Sequence, residues 1–254
     1  MRKSLALSLK VSAFVLALSM SGQGALAAAA KRPDLTGLWA NTGRPTTNKD
    51  LPVTQQNVPL RPEARAKVDD YNSLVAPKGE TPGGVCLGTG TPSLLLGAGG
   101  YPMEIIQRPE QITVIFESHG ETRRVYFGDR NAAEEDRIPG RNGYTSGHWE
   151  GDVLVLETGN LVEQVDQIFA HSDKAKVVER YYIDKAEKGP EGERILVVDM
   201  VMTDPEFYTE PAIMKKKWVE VPNGRLLPYE CAEEVWHKRL EELAAEHKAA
   251  AKAK

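Results

Sequence analysis

Alternating apolar and polar residues dominate the chain from Tyr101 onward, and this pattern predicts a β-rich domain. Runs rich in Ile, Val, Phe and Tyr are separated by short turn signals such as His119-Gly120 and Gly151-Asp152. The predicted strands cover residues 103–108, 111–117, 122–127, 148–150, 153–158, 177–184, 194–203 and 213–221, with 225–229 left open. No helical pattern lies between them. We therefore expect a mainly β fold, an antiparallel up-and-down barrel over residues 101–231.

The segment before the barrel, residues 28–100, has a different pattern. It opens with a short strand that carries Trp39 and continues into an irregular stretch, Thr42–Gly100, rich in proline and glycine. One helix is predicted inside it, over 62–71, because proline is tolerated in a first helical turn. So long an irregular stretch is expected to wrap the barrel or to cover a site. We further expect Trp39 and Trp149 to be buried, with Trp39 closing one end of the barrel.

Helical spacing returns only at the end of the chain. Trp236, Leu240 and Leu243 recur at the intervals of one helix face and predict a helix over 232–248, within a final segment 232–254 that ends in Ala-Lys repeats. This helix is charged as well as amphipathic, so contact with a partner is one role open to it.

The first 27 residues have the pattern of a secretory signal peptide. Basic residues Arg2, Lys3 and Lys10 precede the apolar run 11–20, and Ala25-Leu26-Ala27 supplies small residues for cleavage. The apolar run is short for a membrane span, and no stop-transfer pattern follows it. We therefore expect cleavage after residue 27 and a periplasmic or secreted protein with no integral membrane segment. A membrane anchor is the alternative.

Charge argues against a nucleic-acid partner. The formal net charge is −4, and removal of the three basic residues of the signal segment brings it to about −7. Basic residues are spread along the chain, and the one basic run, 215–217, lies in a predicted strand. We interpret that run as a solvated strand face, with an anion site as the alternative.

Cys86 and Cys231 are the only cysteines. An even count in an exported chain predicts a disulfide between them, worth about 4–5 kcal/mol in the chain-entropy model. A nucleophilic cysteine is the alternative, although no Cys-His motif accompanies either residue.

The layout resembles that of lipocalin-like (calycin) barrels, in which a first strand bearing Gly-x-Trp, here Gly37-Leu38-Trp39, leads into the barrel and a helix follows it. Residues 101–233 also resemble a family of exported bacterial proteins of unsettled function. The matching motifs are Tyr101-Pro102-Met103-Glu104-Ile105-Ile106-Gln107, Trp149-Glu150-Gly151-Asp152, His171-Ser172-Asp173, Val178-Glu179-Arg180 and Asp204-Pro205. The resemblance implies an exported β-rich domain and no defined reaction.

The chain departs from that family at two places. It has Gly143-Tyr144-Thr145 where the family usually carries Gly-His-Ser, and the segment 159–170 is shorter than in relatives. If those two patches form a site in the family, this protein has different chemistry there or has lost the site.

Polar residues inside apolar strands are the strongest candidates for chemistry. Glu117 ends one such strand, Arg123 and Arg124 open the next, and Glu179 interrupts a third. Alternation places Glu179 and Tyr181 on one sheet face with Arg180 and Tyr182 on the other. An inward charge must be paired, and such pairs shift pKa values toward acid–base work. The alternative is that these residues form outward charges or cross-strand ion pairs.

None of the five histidines has metal-site spacing, and no cofactor motif appears, so we expect neither a metal nor a cofactor. His171 lies in a loop inside a matched family motif and is the most interesting of the five. A turn-stabilising Ser172-Asp173 with an incidental histidine is the alternative. Ser172 lacks the surroundings of a hydrolase nucleophile.

These residues lead to one functional hypothesis with two rivals. We expect a site for a small apolar or aromatic molecule in the barrel mouth. Its expected ligand-binding residues are Tyr144, His148, Tyr181, Tyr182 and Glu117. If the protein is an enzyme, cofactor-independent acid–base chemistry (a lyase, isomerase or hydrolase step) would use His171, Tyr144, Glu179 and Arg123. The rivals are a non-catalytic periplasmic carrier and a structural envelope protein.

Overall fold

The structure, a computed structural model, describes residues 32–54, 56–79, 84, 86–97, 100–165 and 169–252. The expected signal peptide, residues 1–27, lies outside the described residues. The strands are β1 Gly37–Asn41, β2 Thr46–Thr47, β3 Met103–Gln107, β4 Gln111–Phe116, β5 Thr122–Phe127, β6 Tyr144–Glu150, β7 Val153–Gly159, β8 Lys176–Lys188, β9 Arg194–Thr203 and β10 Ala212–Glu220. The α-helices are α1 Pro62–Val75, α2 Ser93–Gly97 and α3 Cys231–Lys252.

Nine of these strands close into one barrel. Their order is β1-β3-β4-β5-β6-β7-β8-β9-β10, and β10 pairs back onto β1 with Trp39 opposite Glu220. The short β2 adds to the far part of β10. This confirms the mainly β, lipocalin-like barrel with a C-terminal helix. Residues 221–230 contain no strand, so the strand left open at 225–229 does not form.

One strand pair differs from the expected antiparallel pattern. β5 and β6 run parallel, with Val125 opposite Thr145 and Phe127 opposite Gly147. A parallel pair needs a connection that returns the chain to the same end of the sheet, and residues 128–143 supply it. Such a connection reads as an ordinary loop in the sequence, which is why alternation alone did not reveal the parallel pair.

Large side chains fill the barrel interior. Every second residue of β8 points inward, and the same alternation brings Trp39, Phe116 and Trp218 into one core with Tyr181. All four are almost completely buried, as small barrels require. Trp39 is therefore buried as predicted, whereas Trp149 is only half-buried.

The irregular segment packs against the barrel rather than away from it. Leu94, Leu95 and Leu96 of α2 are buried in the same core cluster as the barrel residues. The Thr91 amide donates to the Arg141 carbonyl at 3.0 Å, just before β6. The segment thus covers the end of the barrel from which β6 starts.

The disulfide joins this segment to the C-terminal helix. Cys86 is bonded to Cys231, with their Cα atoms 5.5 Å apart, which confirms the predicted pair. Beyond Cys231 the side chains of α3 that are described are exposed, including Trp236 and Leu240. Among the described residues, no helix combines the length and apolar character that a membrane crossing demands.

Candidate functional site

Arg123 and Glu179 form an ion pair across the barrel interior. Arg123 Nη1 donates to Glu179 Oε1 at 3.0 Å and Nη2 donates to Oε2 at 2.7 Å. Both side chains are almost fully buried. Nη2 also donates to the Thr158 hydroxyl at 3.1 Å and, more weakly, to Thr145 at 3.4 Å. Four strands, β5 to β8, therefore hold one guanidinium in a bidentate, charge-assisted arrangement.

This pairing fixes the charge states of its members. Burial alone would lower the pKa of Arg123, but the charge and hydrogen bonds of Glu179 outweigh burial, and the pKa is raised. Burial, together with the charge of Glu179, raises the pKa of Tyr181 far above its usual value, so the phenol stays protonated. Arg123 Nε and the Tyr181 hydroxyl lack hydrogen-bond partners and are closed to solvent. The interior beside these two atoms therefore has no room for a ligand.

A pocket of about 540 Å³ opens instead in the barrel wall, beside the first residues of β5 and β6. We call it the wall pocket. The β5–β6 ladder begins only at Val125, so the preceding residues of β5 lie where the two strands diverge. The volume is within the usual range for small-molecule sites. The pocket is lined in part by Thr122, Arg123, Arg124, Tyr126, Asn142 and Tyr144.

Two tyrosines form an aromatic wall of this pocket. The rings of Tyr126 and Tyr144 stack with centroids 5.9 Å apart and planes inclined by 23°. The Tyr144 hydroxyl accepts a hydrogen bond from the Ala132 amide at 2.6 Å and donates to Asn131 Oδ1 at 3.4 Å. Its hydroxyl is therefore occupied, and its ring contacts Tyr126.

Charged side chains surround the aromatic pair. Arg124 lines the pocket, is exposed, and has no hydrogen-bond or ionic partner in the described part of the chain. The Arg130 guanidinium lies 5.8 Å from the Tyr126 ring centroid, and that of Arg137 lies 4.8 Å from the Tyr144 centroid. Among the described residues of the lining, Asp136 is the one carboxylate.

His171 lies elsewhere, buried under the irregular segment. Its Nδ1 faces the Ser172 carbonyl oxygen at 3.2 Å and its Nε2 faces the Thr91 carbonyl oxygen at 3.1 Å. The side chain is fully buried. Neither ring nitrogen is directed at Arg123, Glu179 or Tyr144, so the structure does not bring the four expected catalytic residues together.

The neighbouring Ser172 belongs to a structural turn. Asp204 accepts hydrogen bonds from the Ser172 amide at 2.6 Å and the Ser172 hydroxyl at 2.8 Å. The same carboxylate accepts from the amides of Glu206 and Phe207 at 2.9 and 3.0 Å. A buried carboxylate with so many donors fixes the β9–β10 connection against the loop before β8.

The remaining expected ligand-binding residues are dispersed. His148 lies on the outer face of β6, 3.2 Å from Glu150. Tyr182 lies on the outer face of β8 and donates to Asp199 at 3.0 Å; burial and this bond raise its pKa to about 12. Glu117 accepts from the Leu227 amide at 2.7 Å. Because Tyr181 points inward, these side chains do not line one cavity with it.

Sequence reasoning missed Tyr126 and Lys216, and it named Arg124 beside Arg123 without giving it a role in the site. Arg124 and Tyr126 are outward positions of β5, where alternation does not indicate a pocket. Lys216 lies within the basic run interpreted as solvated, yet it points inward and is 2% exposed. Its ammonium donates to Asn41 Oδ1 at 2.6 Å and to the Gly43 carbonyl, and burial lowers its pKa to about 8. The apolar neighbours Met214 and Trp218, two residues away on either side, were the available signal.

No protein-family model matches this chain, and a search of curated proteins finds no significant match. Within the described ranges, no three His, Cys, Asp or Glu side chains come together as a metal-ligand set. The geometry of the wall pocket is therefore the basis for a functional assignment.

Proposed function

We propose that this protein binds a small aromatic molecule in the wall pocket and releases it unchanged, as a carrier does. The observation that carries this proposal is the stacked Tyr126–Tyr144 pair at the edge of a pocket of about 540 Å³. Aromatic rings contribute contact area together with a preferred stacking geometry. A planar ligand would stack on one of these rings in place of the guanidinium that now lies over it.

The wall pocket is favoured over the barrel interior because the interior is occupied. Trp39, Trp218, Tyr181 and Phe116 fill it, and the atoms beside Arg123 are closed to solvent. A ligand there would have to displace side chains from a close-packed core, at a cost of several kcal/mol.

Binding without turnover is favoured because the expected acid–base groups are engaged. Both carboxylate oxygens of Glu179 are taken by Arg123. Both ring nitrogens of His171 face backbone carbonyls in a buried setting. A general acid or base must reach the substrate directly or through one water, which neither group does.

An extracytoplasmic location forms part of the proposal. The Cys86–Cys231 disulfide supports it, because such bonds persist in oxidising compartments. The signal-peptide pattern of residues 1–27 and the resemblance to an exported bacterial family point the same way.

A titration with a neutral aromatic probe tests the proposal. We expect 2-naphthamide to bind with a Kd below about 1 mM, equivalent to about −4 kcal/mol, as measured by calorimetry or ligand-observed NMR. Tyr126→Leu should weaken binding about fivefold, since aromatic stacking contributes about 1 kcal/mol. Tyr182→Leu is the matched control, because Tyr182 is also an outer-face tyrosine but lies on β8 outside the pocket lining.

The two variants distinguish binding in the wall pocket from non-specific binding. A Tyr182→Leu variant that binds normally beside a weakened Tyr126→Leu variant supports the wall pocket. Equal loss in both variants, or no binding of any aromatic probe to the unmodified protein, contradicts it.

A further inference from the structure

We propose that the ligand of the wall pocket carries a carboxylate beside its aromatic ring and that Arg124 binds this carboxylate. This inference rests on the proposed function, since it identifies the chemical class that the same pocket selects. The observation that supports it is the unpaired Arg124 guanidinium in the same pocket as the Tyr126–Tyr144 pair.

The Arg124 side chain differs from three other arginines of this region, because it makes no hydrogen bond or ion pair with the described residues. Arg130 also makes none, but its guanidinium lies over the Tyr126 ring and it is not among the residues that line the pocket. Arg123 is bound by Glu179, Arg137 Nε donates to the Ala132 carbonyl at 3.2 Å, and Arg141 donates to the Gly88 carbonyl at 2.6 and 3.0 Å. Arg124 has no such bond in the described part of the chain, although it lines the pocket. A planar guanidinium presents two parallel N–H donors, which match the two oxygens of a carboxylate.

Arg123 adds no free cation to the pocket. It is among the lining residues, but it is only 3% exposed, its guanidinium is held by Glu179, and its Nε is closed to solvent. The amide of Asn142 is already used, because it donates to Glu121 and accepts from Thr91. Arg124 is thus the one strong anion-binding group that remains available in the lining.

The charge balance favours a single negative charge. Arg124 is one uncompensated cation, and Asp136 contributes one negative charge to the same lining. A phosphate monoester carries up to two negative charges near neutral pH. A monoanionic carboxylate suits one guanidinium beside one carboxylate better than a dianion does. The same reasoning predicts that Asp136 opposes the ligand charge, so its neutralisation should tighten binding.

The test compares 2-naphthoate with its neutral isostere 2-naphthamide. We expect 2-naphthoate to bind about tenfold more tightly, and Arg124→Gln to reduce this ratio to below twofold while leaving 2-naphthamide binding unchanged. Asp136→Asn should strengthen 2-naphthoate binding about threefold. Arg180→Gln is the matched control: Arg180 is an outer-face arginine paired with Glu150 at 2.5 Å, outside the pocket lining, and its loss should leave the ratio unchanged.

Each of the following outcomes would contradict either the carboxylate inference or the proposed function. If both probes bind equally, the carboxylate inference is wrong and the aromatic site stands. If 2-naphthylmethylammonium binds more tightly than 2-naphthoate, Asp136 and not Arg124 selects the ligand, which also overturns the inference. If Arg124→Gln leaves the tenfold ratio intact, another group binds the carboxylate and the inference fails. If no probe binds, the proposed function itself fails.

Discussion

Arg123 and Arg124 are neighbours on β5, yet their side chains lie in opposite environments. Arg123 points into the barrel, is 3% exposed, and is held by Glu179 and two threonines. Arg124 points outward, is exposed, and has no partner among the described residues. The two-residue period of a strand is the whole reason for this difference.

One strand thus carries a buried arginine that stabilises the fold and an exposed arginine that belongs to the proposed ligand site. A charge inside the barrel must be fully paired because an uncompensated buried charge is costly. A charge outside pays no such penalty, so it can stay unpaired and available to a ligand. The same contrast separates the filled interior from the wall pocket, and each prediction below tests it.

The largest expected effect comes from removing the interior partner. Glu179→Gln leaves the buried Arg123 guanidinium without its counter-charge and should lower the free energy of unfolding by about 3–5 kcal/mol in urea denaturation. Glu150→Gln, which removes the carboxylate of an exposed pair with Arg180, should lower the free energy of unfolding far less, because solvent screens that pair. Similar losses in both variants would contradict the structural role given to the interior pair.

Lys216, the second buried cation, has no carboxylate partner among the described residues, and its contribution to the free energy of unfolding should depend on pH. The pKa of Lys216 is about 8 in the folded protein, against 10.5 for the unperturbed group. The unfolded state therefore binds more protons between these values, and the free energy of unfolding should rise with pH there. Integrated from pH 8 to pH 10, this group contributes a rise of about 2 kcal/mol.

Lys216→Met should remove that rise, whereas Lys176→Met, at an exposed position of β8, should keep it. Urea denaturation at several pH values checks this. The measurement should stop near pH 10, because Tyr181 and Tyr182 have raised pKa values and their contribution lowers stability above that pH. An unchanged rise in Lys216→Met would assign the pH dependence to another group.

His171 should behave as an interior residue. His171→Ala removes a fully buried ring that faces the Thr91 and Ser172 carbonyls, and we expect a loss of about 2 kcal/mol in unfolding free energy. Binding of 2-naphthamide should stay within twofold of normal. Loss of binding with full stability would restore His171 as a site residue.

The smallest stability effect belongs to the outward arginine. Arg124→Gln should change the free energy of unfolding by less than about 0.5 kcal/mol, because the exposed Arg124 side chain makes no hydrogen bond or ion pair with the described residues. A loss comparable with that of Glu179→Gln would remove the distinction between the two arginines.

The sequence predicts those features of the fold that burial imprints on the order of apolar and polar residues. The bounds 122–127 and 194–203 were predicted as observed, because turn residues bound both runs; the first run alternates, whereas the second is buried at four successive positions, 195–198. Alternation also placed Tyr181 and Tyr182 on opposite faces of their strand, and neighbouring strand residues cannot both face one cavity. Choosing residues by chemical type alone placed both in one expected site.

The wall pocket was not predictable in the same way. It exists because β5 and β6 pair in parallel and begin to pair only at Val125. That arrangement is set by the connection 128–143, whose polar sequence has no period to reveal where it runs. Outward residues such as Arg124 and Tyr126 follow no burial pattern, so their convergence appears only in three dimensions. The disulfide, by contrast, followed from two cysteines and an expected compartment.

The central claim, that the ligand site is in the barrel wall and not in its interior, is tested most directly by NMR. ¹⁵N-labelled protein is titrated with 2-naphthoate and the amide chemical shifts are followed residue by residue. The account predicts that the perturbed amides cluster at residues 122–126 and 136–145 and that interior positions such as Met200 and Val198 stay unchanged. Perturbations centred on the interior of β8 and β9, or beneath α2, would contradict it.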